Sequence, residues 1–216
     1  MSAESGQPAL TISTAEGDAR VRLTIGHDAA AGALMLGHGA GGGVDAPDIR
    51  TAARAARDAG WAVALVEQPY RVAGRHSPVP APRLDTAWIQ VTAALTGGDG
   101  PLHALRLVTG GRSSGARVAC RTATATGATG VLCLAFPLCP PARAGSDRRP
   151  LSRQPELDGA GVPVLVVQGS ADRFGMPRSS RKLGRTVVRV DGDHGLKRDH
   201  QRIAGAIDGW LRALVS

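Results

Sequence analysis

The chain is a succession of short apolar runs punctuated by glycine, proline and charged residues, and between them lie stretches in which apolar residues recur every three or four positions. Runs of the first kind predict strands near 8–14 and 19–26 and at 33–37, 61–66, 104–109, 130–135, 162–168 and 186–190,. Several, such as Val131-Leu132-Cys133-Leu134 and Val164-Leu165-Val166-Val167, are apolar throughout, as strands covered on both faces are,. Stretches of the second kind predict helices with one apolar stripe each: Ile49, Ala52, Ala53 and Ala56; Leu84, Ala87, Trp88, Val91 and Leu95; Ile203, Ile207, Trp210, Leu211 and Leu214,. Alternation of the two predicts an α/β fold, with a mostly parallel central sheet of about seven or eight strands and helices on both faces. Sites in such sheets gather at the carboxyl ends of the strands.

A length of 216 residues predicts one domain over 8–216, with residues 1–7 read as a disordered terminus,. It leaves no room for an elaborate lid. The connection from Pro137 to Pro163, broken by Pro140-Pro141, Pro150 and Pro155, is where a minimal cap would sit,. The net charge of +8 comes almost wholly from arginine, but the arginines are scattered and aromatic content is 3%, so the expected reading is a solvated surface and no nucleic-acid partner,. No apolar stretch approaches bilayer length, and residues 1–15 lack the basic start and apolar core of a signal peptide,. Cys120, Cys133 and Cys139 have neither CxxC nor metal-ligand spacing, so a reducing, cytoplasmic setting without membrane or metal is expected,.

Candidate chemistry begins at Gly111-Arg112-Ser113-Ser114-Gly115, which follows the strand at 104–109 and precedes a helical run from Ala116. A strand turning sharply into a helix exposes the central residue, Ser113, and places the Ser114 amide where an oxyanion would develop. The loop Ser170-Ala171-Asp172 closes the strand at 162–168, and Asp191-Gly192-Asp193-His194 closes the strand at 186–190. Ser113 as nucleophile, Asp172 as acid and His194 as base follow the chain order of α/β-hydrolases. A serine hydroxyl is a weak nucleophile near neutral pH, an imidazole can take its proton, and a carboxylate fixes the imidazole's tautomer. Asp191 and Asp193 stand as alternative partners for His194, with turn-capping as the plainer reading.

The glycine cluster Gly37-His38-Gly39-Ala40-Gly41-Gly42-Gly43 admits two readings. Gly37, Gly39 and Gly42 satisfy a dinucleotide-binding pattern, with Glu67 available for a ribose. The other reading makes Ala40 and Gly41 the second half of an oxyanion hole with Ser114, and His38 a brace for the loop. Arg75 and Arg112, near loop ends on the same side, are candidates for binding an anionic substrate or for supporting the site.

The chain resembles a small, dienelactone-hydrolase-like α/β-hydrolase family that includes testis-expressed protein thirty and the third regulatory subunit of the nonspecific-lethal acetyltransferase complex. The resemblance spans nearly the whole chain. It rests on His38-Gly39-Ala40-Gly41-Gly42, Gln68-Pro69-Tyr70 with Gly74-Arg75, Gly110 to Arg117, Phe136-Pro137-Leu138, Gln168-Gly169 with Asp172, and Asp191-Gly192-Asp193-His194. It implies the α/β-hydrolase fold with Ser113, Asp172 and His194 as the catalytic set. Cys139 departs from the histidine expected in its loop, and the elbow holds serine where dienelactone hydrolases themselves use cysteine. The expected activity is a cofactor-free serine hydrolase acting on an ester, thioester or similarly activated small-molecule acyl substrate. The alternative is a catalytically silent scaffold that keeps the fold.

Overall fold

The computed structural model of the chain describes residues 9–26, 29–140 and 150–216. The predicted tail at 1–7, and residues 141–149 of the proline-rich connection, lie outside the described residues. Eight strands, β1 (Leu10–Thr14), β2 (Gly17–Thr24), β3 (Ala33–Gly37), β4 (Ala62–Glu67), β5 (Leu107–Arg112), β6 (Gly130–Leu134), β7 (Val164–Gly169) and β8 (Arg185–Val190), form one sheet in the order β1-β2-β4-β3-β5-β6-β7-β8. The β1–β2 hairpin joins through antiparallel pairing of β2 with β4, and every pair beyond β4 is parallel. From β3 the chain first moves outward to β4 and then crosses back to β5, so the strand order reverses at β3. The carboxyl ends of β3 and β5 therefore diverge into loops over a shared crevice.

Helices α1 (Pro47–Asp58) and α6 (His200–Val215) cover one face, while α3 (Ala81–Thr96), α4 (Ser114–Thr122) and the short α5 (Gln154–Asp158) cover the other. The short α2 (Pro69–Val72) follows β4 directly. Alternate strand residues divide between the two cores: Leu34 and Leu36 pack with Ile49, Ala52, Ile203 and Ile207, whereas Ala33 and Met35 pack with Leu84, Trp88 and Val91. Burial on both faces explains why β3, β6 and β7 are apolar at nearly every position,. Among the described residues the connection from β6 to β7 contributes α5 and no cap, and no helix is long and apolar enough to cross a membrane.

The strand predicted at 104–109 lies three residues further on. Ala104 adopts a left-handed φ of 59°, which ends the preceding turn, and β5 continues through Gly110 and Gly111. Those glycines serve close packing rather than turning. A Cβ at Gly111 would lie 2.5 Å from the Gly37 carbonyl oxygen, and one at Gly115 would lie 2.6 Å from the same atom. Backbone of α4 thus rests directly on backbone of β3, and no side chain can be inserted between them.

A helical Gly→Ala substitution ordinarily stabilises by about 1 kcal/mol. Gly115→Ala should reverse that sign, destabilising by about 1–3 kcal/mol because its new methyl group meets immovable backbone. The check is thermal unfolding, where each kcal/mol should lower Tm by about 2–4 °C.

Candidate active site

Ser113 occupies the single position between β5 and α4, at φ 51° and ψ −106°. That conformation is strained for a residue with a Cβ, at a cost on the order of 1–3 kcal/mol. The turn is held from both sides: the Ser113 amide donates to the Leu134 carbonyl at 2.9 Å, and its carbonyl accepts from the Arg117 amide at 3.3 Å. Its Oγ lies 3.0 Å from His194 Nε2, although the two residues are 81 positions apart. His194 Nδ1 lies 2.8 Å from Asp172 Oδ2. Both contacts are satisfied by one tautomer, in which Nδ1–H donates to the carboxylate and Nε2 accepts the serine hydroxyl. The structure thus brings Ser113, His194 and Asp172 together.

Asp172 is fixed by more than His194. Its side chain is fully buried; Oδ1 accepts the Phe174 amide at 2.9 Å, and Oδ2 accepts Gln168 Nε2 at 2.8 Å. The same Gln168 amide group faces the carbonyls of Phe136 at 3.0 Å and Gly175 at 2.9 Å, so it joins the ends of β6 and β7 to the loop carrying the carboxylate. Phe174 lays its ring 4.4 Å from the imidazole of His194, and the Arg173 guanidinium sits 5.1 Å over that ring. The alternative acids are occupied elsewhere. Asp193 accepts the Gly195 amide at 2.8 Å, as a turn cap does, and Asp191 lies 3.9 Å from Arg198 on the surface.

The loop after β3 is pinned by the segment after β4. Buried His38 donates Nδ1–H to the Gly39 carbonyl at 2.9 Å and accepts the Gln68 amide on Nε2 at 3.1 Å. Tyr70 donates its hydroxyl to the Ala40 carbonyl at 3.1 Å. A Cβ at Gly39 would lie 3.6 Å from Ser113 Cβ, so this loop, which carries Ala40 and Gly41, rests against the serine. Ser114 opens α4, where first-turn amides have no acceptor within the helix and remain free to meet negative charge,.

The dinucleotide reading of the glycine cluster does not fit this geometry. Four residues separate Gly42 from the start of α1 at Pro47, and the first turn of α1 carries the buried carboxylate of Asp48, which would repel a pyrophosphate there,. Glu67 approaches Arg20 at 3.7 Å. Arg75 lies apart from the serine, on the rim of a cavity of about 90 Å³ that Glu16, Tyr70 and Arg83 also line and that neither Ser113 nor His194 reaches; the left-handed turn at Gly74 (φ 75°) carries it outward. Arg112 turns its side chain toward the His194 carbonyl, 3.0 Å from Nη2. Cys139, where histidine was expected, donates its amide to the Phe174 carbonyl at 2.8 Å. Gln168 and Tyr70 fall inside motifs that carry the family resemblance, but those motifs assign neither a supporting role, and nothing in the sequence singles out Asp48.

The sheet order, the strained serine turn and the loops that converge on it define an α/β-hydrolase fold. The family described as alpha/beta hydrolase domain matches residues 30–208, and the chain belongs to it. No curated protein matches the chain in sequence. Among solved structures, the chain is similar to XC6422 from Xanthomonas campestris, described as an α/β serine hydrolase without lid (21% identity, 95% of this chain and 94% of that one, TM-score 0.69). It is also similar to Est1E from Butyrivibrio proteoclasticus (14% identity, 97% and 99% covered, TM-score 0.74) and to a dienelactone hydrolase from Anabaena variabilis (17% identity, 95% and 96% covered, TM-score 0.72). At these identities the likeness concerns the fold.

Burial pushes the pKa of His38 below its ordinary value, with the Gly39 carbonyl and Glu67 opposing the shift. The unfolded chain therefore takes up this proton at higher pH than the folded one. Stability contributed at His38 should be complete above about pH 6.5 and should fall as pH drops toward the lower folded value, with a limiting slope of about 1.4 kcal/mol per pH unit. Urea unfolding of the native protein and of His38→Gln from pH 7.5 to 5 checks this: the native protein should lose stability more steeply than the variant.

Proposed function

We propose that the protein is a serine hydrolase that cleaves an ester, thioester or similarly activated acyl bond through an acyl-enzyme on Ser113. The observation that carries this reading is the unbroken path from Ser113 Oγ through His194 to Asp172, with contacts of 3.0 and 2.8 Å. His194 Nε2 accepts the hydroxyl proton as Oγ attacks the acyl carbon. Asp172 accepts the Nδ1–H bond and stabilises the imidazolium that forms. The negative charge on the former carbonyl oxygen is met by the Ser114 amide, with amides at Ala40 and Gly41 as the second source of donors. His194 then returns its proton to the leaving group, the acyl-enzyme forms, and water repeats the sequence to release the acid.

Several features favour this chemistry over passive use of the fold. The strain at Ser113 is stored where the hydroxyl must be presented, and such strain persists only where surrounding structure enforces it. Donors from buried Gln168 and from the Phe174 amide hold Asp172 in one orientation, and the Phe174 ring packs against the imidazole. Est1E has been solved with ferulic acid bound, and the aromatic ring beside His194 makes aryl esters a sensible first class of substrate to screen here.

The decisive experiment is labelling by a fluorophosphonate, which reacts with activated serines. The native protein should gain one adduct by intact mass, and Ser113→Ala should gain none. Hydrolysis of p-nitrophenyl acetate should fall by about 10⁴-fold or more in that variant, with little change in Tm. Labelling of neither folded protein would overturn the reading and leave a silent scaffold.

A further inference from the structure

We infer that Asp48 and Arg112 form a positioning pair that sets the His194 loop against Ser113, an inference that rests on the acyl-transfer reading above. Arg112 immediately precedes the serine, and its guanidinium touches three separate parts of the site. Its Nη2 donates to the His194 carbonyl at 3.0 Å. Its Nε lies 3.0 Å from Asp48 Oδ2. Its Nη1 stands 3.0 Å from where a Cβ on Gly39 would project, so it also fills the space beneath the loop after β3. One planar group thus spans the nucleophile turn, the base loop and the loop after β3.

Asp48 is what aims that group. Its side chain is fully buried and the Arg112 side chain is only 19% exposed, so the attraction acts with little screening by water,. The Nε–H of Arg112 is not aligned for a hydrogen bond with the nearby carboxylate. The contact is therefore an attraction between charges that fixes where the guanidinium lies and leaves Nη2 free to bond the His194 carbonyl. Burial raises the pKa of the Asp48 carboxyl, while Arg112 and the amides of Asp48 and Ile49 pull it down. A carboxylate whose burial outweighs its partners is a poor stabiliser of the fold. It makes sense where it orients something else. Neither residue touches the reacting atoms, so each acts through His194.

The base loop has other anchors, which is why this pair concerns position more than folding. Gly192 accepts the Ala171 amide at 2.9 Å, tying the loop to the acid side, and the Asp191 amide donates to Asp199 at 3.2 Å. The Arg112 bond ties it to the nucleophile side. Without that tie the imidazole keeps Asp172 but loses its registration on Ser113 Oγ, and a misplacement near 1 Å can cost about 10²-fold in rate.

The test uses Asp48→Asn, which removes the charge and keeps the shape, and Arg112→Lys, which keeps a charge but lacks the rigid planar fork that addresses two partners at once. In p-nitrophenyl acetate hydrolysis, kcat should fall by about 10- to 100-fold in each variant, while KM stays within about twofold and both variants, although Asp48→Asn melts lower because Arg112 loses its counter-charge, remain folded at the assay temperature. A folded Asp48→Asn with native kcat would overturn the inference, as would a loss confined to KM. Crystal structures of the native protein and Asp48→Asn supply a readout independent of activity: His194 Nε2 should withdraw from Ser113 Oγ beyond hydrogen-bond reach, and an unmoved imidazole would refute the pair's role. A native protein that neither hydrolyses the ester nor labels would overturn the acyl-transfer reading alone, and the crystallographic comparison would still decide the positioning claim.

Discussion

The contact on which the rest of this structure depends is the seating of α4 on β3 with no side chain between them. Gly115 approaches the Gly37 carbonyl so closely that a single methyl group would overlap it. That proximity leaves one residue, Ser113, to reverse the chain between β5 and α4, and a one-residue reversal requires its positive φ. The cost of the strain is offset over a distance, by burial of Ala116, Ala119 and Cys120 against β6 and β7,. The same seating brings the loop after β3 beside the serine, because β3 is the strand on which α4 rests. Nucleophile exposure and oxyanion-loop placement are therefore two results of one packing contact.

Around this contact the carboxyl edge of the sheet is the place where polar groups have been taken inside. His38, Asp48, Gln68, Gln168 and Asp172 are all buried, and burying such groups costs free energy unless partners are supplied,. Many of the partners are backbone amides and carbonyls of neighbouring segments, so His38, Gln168 and Asp172 each also fix a loop. His38 joins the ends of β3 and β4; Gln168 joins the ends of β6 and β7. A site built on loops gains in this way a rigidity usually found in sheet and helix, and the Ser113–His194 distance is one product of it.

Local pattern carried much of this fold. All eight strands and the three long helical stripes were legible because burial on both faces writes continuous apolar runs, and single-face burial writes a 3.6-residue period. The start of β5 was misplaced, since nothing in Ala104-Leu105-Arg106 signals that Ala104 takes a left-handed conformation. Ser113, Asp172 and His194 were legible as candidates because each sits just past an apolar run, in the α/β-hydrolase order. Of the supporting residues, His38 and Arg112 stood out beside the glycine loop and the serine, whereas Gln168, Tyr70 and Asp48 were given no role, because where their partners lie depends on tertiary packing. Arg75 and Arg112 looked alike as loop arginines, and only the turn at Gly74 and the buried carboxylate of Asp48 separate them.

Arginine abundance illustrates the same limit from the side of composition. A net charge of +8 suggested a solvated basic surface. Several arginines instead stitch the helices of one face together: Arg121 pairs with Asp85 of α3 at 2.6 Å and with Glu156 of α5 at 3.2 Å, and Arg117 meets Glu156 at 2.6 Å. Arg185, only 5% exposed, reaches Asp158 at the end of α5. Helix α5 has five residues and buries Leu157, which is too little apolar surface to hold it alone,. Its two acidic side chains anchor it to α4 and β8 through planar, bidentate-capable guanidinium groups, a geometry lysine does not offer. The described end of the connection between β6 and β7 is in this way drawn down against the sheet along α5.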